Sequence, residues 1–172
     1  ADYVLPQYAQ NFHLDSFFVG GNVRKATQTG YADYIPCSLS DTARIIREGF
    51  QPVDGVFLTV SEPDEEGYVS LGTSVDCTLA AIDQAHYVIA QVNRNMPFCY
   101  GDARIPMSKI TAFVRNDVPL LEAEFPPLSE QDVMIGKRAA ELIPDGATLQ
   151  IGIGSIPNAI GEMIAQSDIK DL

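Results

Sequence analysis

The segment DGVFLTVS at residues 54–61 is the clearest indication of this protein's fold. Its apolar run is rich in Val and Phe, which predicts a buried strand. A second run, YVIAQV at residues 87–92, predicts another strand, and Ser74 or Asp76 can begin a helix to about Gln84 between the two. Strand, helix and strand in this order are typical of a parallel sheet with helical crossovers.

The same alternation extends outward along most of the chain. Further strands are predicted at 16–19, 32–35, 68–71 and 147–153, and further helices at 23–29, 40–49, 129–143 and 158–166. We expect the strand at 147–153 to lie inside the sheet, because its apolar run is nearly unbroken. Three prolines make 116–129 an extended connector. The sequence therefore predicts an α/β fold with a largely parallel sheet and helices on both faces.

Composition excludes several classes of function. The 172 residues are 46% hydrophobic and 20% charged, as in ordinary globular domains. Acidic residues outnumber basic ones 23 to 11, so the net charge of −12 opposes binding to nucleic acid or anionic membranes. Three widely spaced cysteines and two histidines favour neither a disulfide framework nor a metal site, and they suit a reducing cytoplasm.

The turn at Gly152–Pro157 is a candidate site for an anion or a carbonyl oxygen. Glycines let a ligand approach the backbone, and the first-turn amides of the following helix lack intrahelical acceptors. We expect that helix to begin at Pro157 or Asn158. The alternative is a tight turn without a ligand. A dinucleotide fingerprint is disfavoured because Pro157 occupies its sixth position.

A second glycine turn, Gly20-Gly21-Asn22, precedes a helix that begins with two cations, Arg24 and Lys25. Cations in a first helical turn are unfavourable unless an anion lies nearby, so they could meet a phosphate or carboxylate. The alternative is that both side chains extend into solvent.

Amide side chains also follow the strand at 87–92. Gln91 and Asn93, with Met96 and Pro97 after them, could hold a polar ligand group or cap exposed loop backbone. The acidic run 64–66 is interpreted as a solvated turn. His13, His86 and Cys99 are interpreted as structural residues.

Five segments together resemble the acetyl-CoA hydrolase/transferase family, in particular its 4-hydroxybutyrate and butyryl-CoA:acetate CoA-transferases. They are residues 17–26, 32–36, 63–72, 91–97 and 145–159. The resemblance implies two related α/β domains and an active-site glutamate. Its carboxylate attacks an acyl-CoA to give an acyl-glutamyl anhydride, which the CoA thiolate opens to a glutamyl-CoA thioester. CoA and acyl-CoA are then substrates, a small carboxylate is the acceptor, and no metal is needed.

The resemblance also implies roles for residues of this chain. The loop of Gly152, Gly154, Ser155, Ile156 and Pro157 packs against the thioester, with the Ile156 amide as the first candidate donor to its oxygen. Gln91, Asn93, Met96 and Pro97 line the acyl or carboxylate pocket, and Gly20, Gly21 and Asn22 lie near the mouth of the site.

The family's nucleophile lies in a Gly-Ile-His-Thr-Glu-like segment, which is expected after Leu172. Residues 1–172 are therefore interpreted as one partial N-terminal domain that lacks its start, has no catalytic residue and is inactive alone. Glu162 does not match the nucleophile position. The intact protein is expected to be a homo-oligomer. A thioester hydrolase of the same family and a non-catalytic nucleotide-binding α/β module remain the alternatives.

Overall fold

The computed structural model describes residues 2–122 and 127–172. These fall into two compact units, unit 1 (Ala1–Leu120) and unit 2 (Leu121–Leu172). The boundary lies inside the connector predicted at 116–129, of which residues 123–126 are outside the described residues. That residues 1–172 form one partial domain stays a prediction.

Unit 1 alternates strands and helices. Its strands are β1 (Leu14–Ser16), β2 (Ala32–Tyr34), β3 (Gly55–Val60), β4 (Tyr68–Ser70), β5 (Tyr87–Val92), β6 (Arg104–Pro106) and β7 (Ala112–Arg115). Its α-helices are α1 (Gly21–Gln28), α2 (Leu39–Arg47) and α3 (Thr78–Gln84), and short 3₁₀ helices cover Asp2–Val4, Pro6–Tyr8, Gly101–Ala103 and Met107–Lys109. Unit 2 contains α4 (Glu130–Ala140) and α5 (Ser155–Ala165).

The central sheet of unit 1 has the order β3-β5-β7, and both of its pairings are parallel. All six residues of β3 pair in register with β5, from Gly55 opposite Tyr87 to Val60 opposite Val92. β1 and β2 form a second parallel pair, whereas β4 and β6 are antiparallel. The α/β class and the largely parallel sheet are confirmed. The carboxyl ends of β3, β5 and β7 meet at one edge, where such sheets place ligands.

One face of the central sheet forms the core of unit 1. Val60, Val88 and Val92 are buried there together with Val69 and Ile105, which belong to β4 and β6. The opposite face is open to solvent, and Phe57 is 81% exposed. Successive side chains of a strand point to opposite faces of the sheet, so each strand contributes to both the buried face and the exposed face.

Two strands were not predicted, and a third is displaced. β6 and β7 are only three and four residues long, so neither gives a clear hydrophobic pattern. The first strand spans Leu14–Ser16, where the sequence predicts 16–19. These strands are defined by pairing, since β1 bonds to β2 and β7 bonds to β5.

The predicted interior strand at 147–153 is wrong. The segment is irregular, Ile153 is fully exposed and Ile151 is more than half exposed. A strand needs a neighbour to accept and donate its backbone hydrogen bonds, and no described residue pairs with this segment. Instead, Leu149 and Ile151 line a cavity of about 280 Å³ with residues of α4 and α5, among them Ile160.

Helix α4 begins as predicted, at a capping box. The Ser129 hydroxyl accepts from the Asp132 N–H, and the Asp132 carboxylate accepts from the Ser129 N–H. This exchange satisfies two backbone donors at the helix start. Gly136 on α4 then lies against the backbone of Ala159 on α5, a residue with no exposed surface.

Replacing Gly136 with alanine is expected to destabilise unit 2. A Cβ atom there would lie 2.9 Å from both the carbonyl carbon and the carbonyl oxygen of Ala159. Overpacking of this kind costs about 1–3 kcal/mol, which exceeds the roughly 1 kcal/mol that alanine usually adds to a helix. Amide hydrogen exchange along α4 and α5 measures the change.

The matched control is Gly161→Ala on α5. Its Cβ would meet only Ile151 Cδ1, at 3.9 Å, which is an ordinary contact. We expect slower exchange in this variant and faster exchange in Gly136→Ala. The same direction of change in both variants would contradict the close packing of α4 on α5.

Candidate functional site

Helix α5 begins at Ser155, two or three residues before the start predicted at Pro157 or Asn158. Gly154 is its N-cap and adopts φ +141° and ψ 172°, a conformation that is essentially restricted to glycine. Pro157 is the third helical residue, where a missing N–H costs nothing because a first-turn donor has no intrahelical acceptor. Proline therefore does not mark the start of this helix. The Asn158 N–H donates to the Gly154 carbonyl at 3.1 Å.

The first turn of α5 presents two backbone donors. No described residue accepts a hydrogen bond from the N–H of Ser155 or of Ile156. The turn is accessible to a ligand, since Gly152, Ile153 and Ile156 are exposed. Two adjacent donors at a helix N-terminus are suited to an anion or to a carbonyl oxygen that gains negative charge.

The Ser155 side chain is hydrogen-bonded to α4. Its hydroxyl donates to Asp132 Oδ1 at 3.0 Å, while Asp132 Oδ2 accepts from the Ser129 hydroxyl at 2.7 Å. Hydrogen bonds from the hydroxyl and backbone N–H of Ser129, and from Ser155, hold the pKa of Asp132 below its usual value. Sequence reasoning predicted a helix from residue 129 but missed this link, because 23 residues separate Ser155 from Asp132.

Gln91 lies near the carboxyl end of β5, as predicted, and its side chain is half-buried. Its Oε1 accepts from the Asn116 side-chain amide at 3.1 Å. Gln91 also lines a groove of about 550 Å³ with Thr59, Thr78 and Val114. It is the predicted pocket residue with direct access to a sizeable cavity in unit 1.

Asn93 is fully buried and bonded within the protein. Its Nδ2 donates to the Val118 carbonyl at 2.9 Å, and its Oδ1 accepts from the Asn95 N–H at 3.0 Å. These contacts fit the capping role that the sequence left open. Any effect of Asn93 on a ligand is therefore through the loop that it holds.

Met96 and Pro97 pack against the turn that follows β4. Met96 is only 6% exposed, and its Sδ lies 3.5 Å from the Thr73 backbone nitrogen. Gly72 has φ +57° at this contact, and a Cβ atom on it would overlap the Met96 side chain and lie 3.0 Å from the Pro97 carbonyl oxygen. The structure thus brings the segments 63–72 and 91–97 together.

The turn at Gly20–Asn22 begins α1, with Gly20 as the N-cap. Asn22 Oδ1 would lie 3.1 Å from a Cβ on Gly20, so the asparagine side chain lies beside this glycine. Arg24 and Lys25 are exposed, as the alternative interpretation predicts. Among the described residues, no hydrogen bond joins Gly20 or Gly21 to Gln91–Pro97.

Asp64 belongs to a partly buried ion pair, so the interpretation of its turn as merely solvated is wrong for this residue. It accepts from Arg104 Nη2 at 2.7 Å and from the Tyr68 N–H at 2.8 Å. The Tyr68 N–H and the Arg104 guanidinium hold the pKa of Asp64 below its usual value. Arg104 also lies over the Tyr68 ring at 4.0 Å and pairs with Glu66, and its pKa is raised. Sequence carried no signal for this pair, because its members are 40 residues apart.

One group among the described residues has the donor atoms of a metal site. The ligand atoms of His13, Asp15 and Asp33 lie within 4.8 Å of one another, because β1 and β2 align the two aspartates. All three are exposed, and His13 Nε2 is 2.9 Å from Asp33 Oδ2. The three cysteines are free thiols. No described helix is both long and apolar enough to span a membrane.

Comparison with known proteins identifies a family for all of unit 1. Residues 1–122 match the acetyl-CoA hydrolase/transferase N-terminal domain. A 4-hydroxybutyrate coenzyme A transferase of Clostridium kluyveri is 43% identical over 159 residues, which are 92% of this chain and 37% of that protein. A succinyl-CoA:acetate/propanoyl-CoA:succinate CoA transferase of Fasciola hepatica is 44% identical over 151 residues, 87% of this chain and 32% of that protein.

Solved structures show the same similarity. RipA from Yersinia pestis has a TM-score of 0.90 and 30% identity, covering 99% of this chain and 41% of RipA. A 4-hydroxybutyrate CoA-transferase from Porphyromonas gingivalis has a TM-score of 0.74 and 32% identity, covering 95% of this chain and 45% of that one. The chain spans 32–38% of the length of the curated relatives it matches.

Proposed function

Because the chain belongs to the acetyl-CoA hydrolase/transferase family, we propose that this protein transfers CoA from an acyl-CoA to a short-chain carboxylate. The named relatives include transferases that use 4-hydroxybutyrate, butyryl-CoA with acetate, and succinyl-CoA. The observation that carries the proposal within this chain is the start of α5, where the Ser155 and Ile156 amides have no described acceptor. Such paired donors suit a thioester carbonyl.

The proposed reaction proceeds by covalent catalysis. A glutamate attacks the acyl-CoA carbonyl and expels CoA thiolate, which leaves an acyl-glutamyl anhydride. The thiolate then opens the anhydride at the glutamyl carbonyl, so that the original carboxylate departs and a glutamyl-CoA thioester remains. A second carboxylate reverses these steps and leaves as the new acyl-CoA. No segment of residues 1–172 matches the family's Gly-Ile-His-Thr-Glu-like motif, so none of its carboxylates is assigned as the nucleophile.

The residues of this chain have supporting roles in this proposal. The Ser155 and Ile156 amides donate to the thioester oxygen as it gains negative charge, and Asp132 holds Ser155 in place. Gln91, at the groove of unit 1, contacts the acyl group or the carboxylate. Asn93 and Met96 are buried, so they support the wall of that pocket and do not contact the ligand. Assembly into a homo-oligomer is proposed from the family resemblance, and a cytoplasmic location is proposed from the three widely spaced cysteines.

Trapping and exchange experiments on the intact protein test this function. Incubation with butyryl-CoA and labelled acetate should yield labelled acetyl-CoA. Borohydride should inactivate the protein only after exposure to acyl-CoA, because it reduces a glutamyl thioester but not a free carboxylate. CoA released at the same rate without a carboxylate would instead show the hydrolase, and the absence of both reactions would exclude the proposal.

A further inference from the structure

The segment 63–72 is one of the five that resemble the family, yet no role has been assigned to it. We infer that Ser70, in this segment, is a positioning residue that fixes residues 96–99 through its buried hydroxyl. The inference deepens the proposed function and rests on it, since Met96 and Pro97 belong to the proposed acyl or carboxylate pocket.

The Ser70 hydroxyl is saturated by hydrogen bonds. The residue has no exposed surface, and its Oγ donates to the Cys99 carbonyl oxygen at 2.9 Å. The same Oγ accepts from the Cys99 N–H at 2.9 Å and from the Gly72 N–H at 3.1 Å. One donated and two accepted bonds use the whole capacity of a hydroxyl. Ser70 therefore cannot bind substrate directly and acts through the backbone of Cys99.

The central sheet anchors Ser70 in turn. The buried Ser61 follows β3 directly; its Oγ accepts from the Ser70 N–H at 2.9 Å, and its own N–H donates to the Ser70 carbonyl at 3.0 Å. The Val60 carbonyl, at the end of β3, accepts from the Asn93 N–H at 2.9 Å. The end of β3 thus connects to both ends of the loop at residues 93–99, through Asn93 at one end and through Ser70 and Cys99 at the other.

A second contact holds the middle of this loop. The Thr73 N–H and hydroxyl lie 3.5 and 3.7 Å from Met96 Sδ, and the Gly72 backbone packs against the same side chain. Pro97 lies between Met96 and Cys99, so these two contacts fix its position. A pocket wall held from both sides is preorganised for its ligand.

Loss of the Ser70 hydroxyl should therefore weaken carboxylate binding. In Ser70→Ala the Cys99 N–H and carbonyl lose their partner inside the protein, and the loop must move to satisfy them. Leaving such groups without a partner shifts the equilibrium between the native loop conformation and others by about tenfold or more. We therefore expect the KM for acetate to rise about tenfold. The KM for acyl-CoA should change less than about threefold, because the affinity for acyl-CoA draws on many contacts remote from the acyl group. The kcat should also change less than about threefold, because the proposed thioester donors are the Ser155 and Ile156 amides.

The test compares Ser70→Ala with wild type and with Thr42→Val in the intact protein. Thr42 is a buried hydroxyl residue on α2 whose only described side-chain partner is Cys37, so Thr42→Val controls for the loss of any buried hydroxyl. Steady-state kinetics with butyryl-CoA and acetate gives the KM and kcat values. Amide exchange of the peptide containing Cys99 is measured alongside and should accelerate only in Ser70→Ala.

A folded Ser70→Ala protein with an unchanged KM for acetate would overturn the inference, and so would a fall in kcat at constant KM. If Ser70→Ala does not fold, Thr73→Val weakens the second contact and should raise the same KM about twofold to threefold. If wild type shows no exchange of CoA, the proposed function fails. Unchanged amide-exchange protection of the Cys99 peptide in Ser70→Ala would separately overturn the inference that Ser70 fixes residues 96–99.

Discussion

Replacing Gly154 with valine is expected to lower transferase turnover by on the order of 10²-fold or more in the intact protein, which is the usual cost of losing one oxyanion donor. At φ +141° the backbone of Gly154 is closed to a β-branched residue. Valine would force the N-cap into another conformation and redirect the Ser155 and Ile156 amides. CoA binding should be largely kept, because ground-state affinity draws on many remote contacts. Measured kcat and the Kd for CoA separate the two effects.

Gly146→Ala is the matched control for Gly154→Val. Gly146 also lies in unit 2 and has φ +73°, with nothing within 4 Å of an added Cβ, so alanine strains the backbone there without approaching α5. Its turnover should equal that of wild type. Circular dichroism confirms that each variant is folded. If folded Gly154→Val keeps wild-type kcat, the turn is a structural feature and the role proposed for its amides is wrong.

Replacing Gly72 with alanine should destabilise unit 1 by about 3 kcal/mol, the sum of the left-handed backbone penalty of about 1–2 kcal/mol and an overpacking cost of similar size. Gly72 has φ +57°, and its Cβ would overlap the Met96 side chain. Met96 cannot easily move aside, because it is buried and contacts Thr73. Urea denaturation followed by tyrosine fluorescence measures the change, since all seven tyrosines lie in unit 1.

Gly67→Ala separates backbone strain from packing. Gly67 has φ +78°, but an added Cβ would meet no atom within 4 Å. This variant should lose only the conformational part, about 1–2 kcal/mol. An equal loss of unfolding free energy in Gly72→Ala and Gly67→Ala would show that the Met96 side chain moves aside without cost and that its packing against Gly72 is not tight.

Much of the fold was predictable because its elements are encoded locally. The strands at 55–60 and 87–92 follow from short apolar runs, and the start of α4 follows from the spacing of Ser129 and Asp132. The family resemblance drawn from five segments is confirmed by the match over residues 1–122 and by a relative that is 43% identical over 92% of this chain. Of the candidate site, the sequence predicted that a glycine turn leads into a helix, although α5 begins at Ser155 and not at Pro157 or Asn158; the roles of the site residues stay predictions.

The rest was decided by partners distant in sequence. The apolar run at 147–153 has the composition of a buried strand, but composition supplies no neighbour for its backbone hydrogen bonds. Asp64 acquires its role from Arg104, and Ser70 acquires its role from Cys99, 29 residues away. Local sequence determines caps, turns and periodicity, because these depend on atoms within a few residues. Pairing, burial and saturation of polar groups depend on which segments the folded chain brings together, and only the tertiary structure determines them.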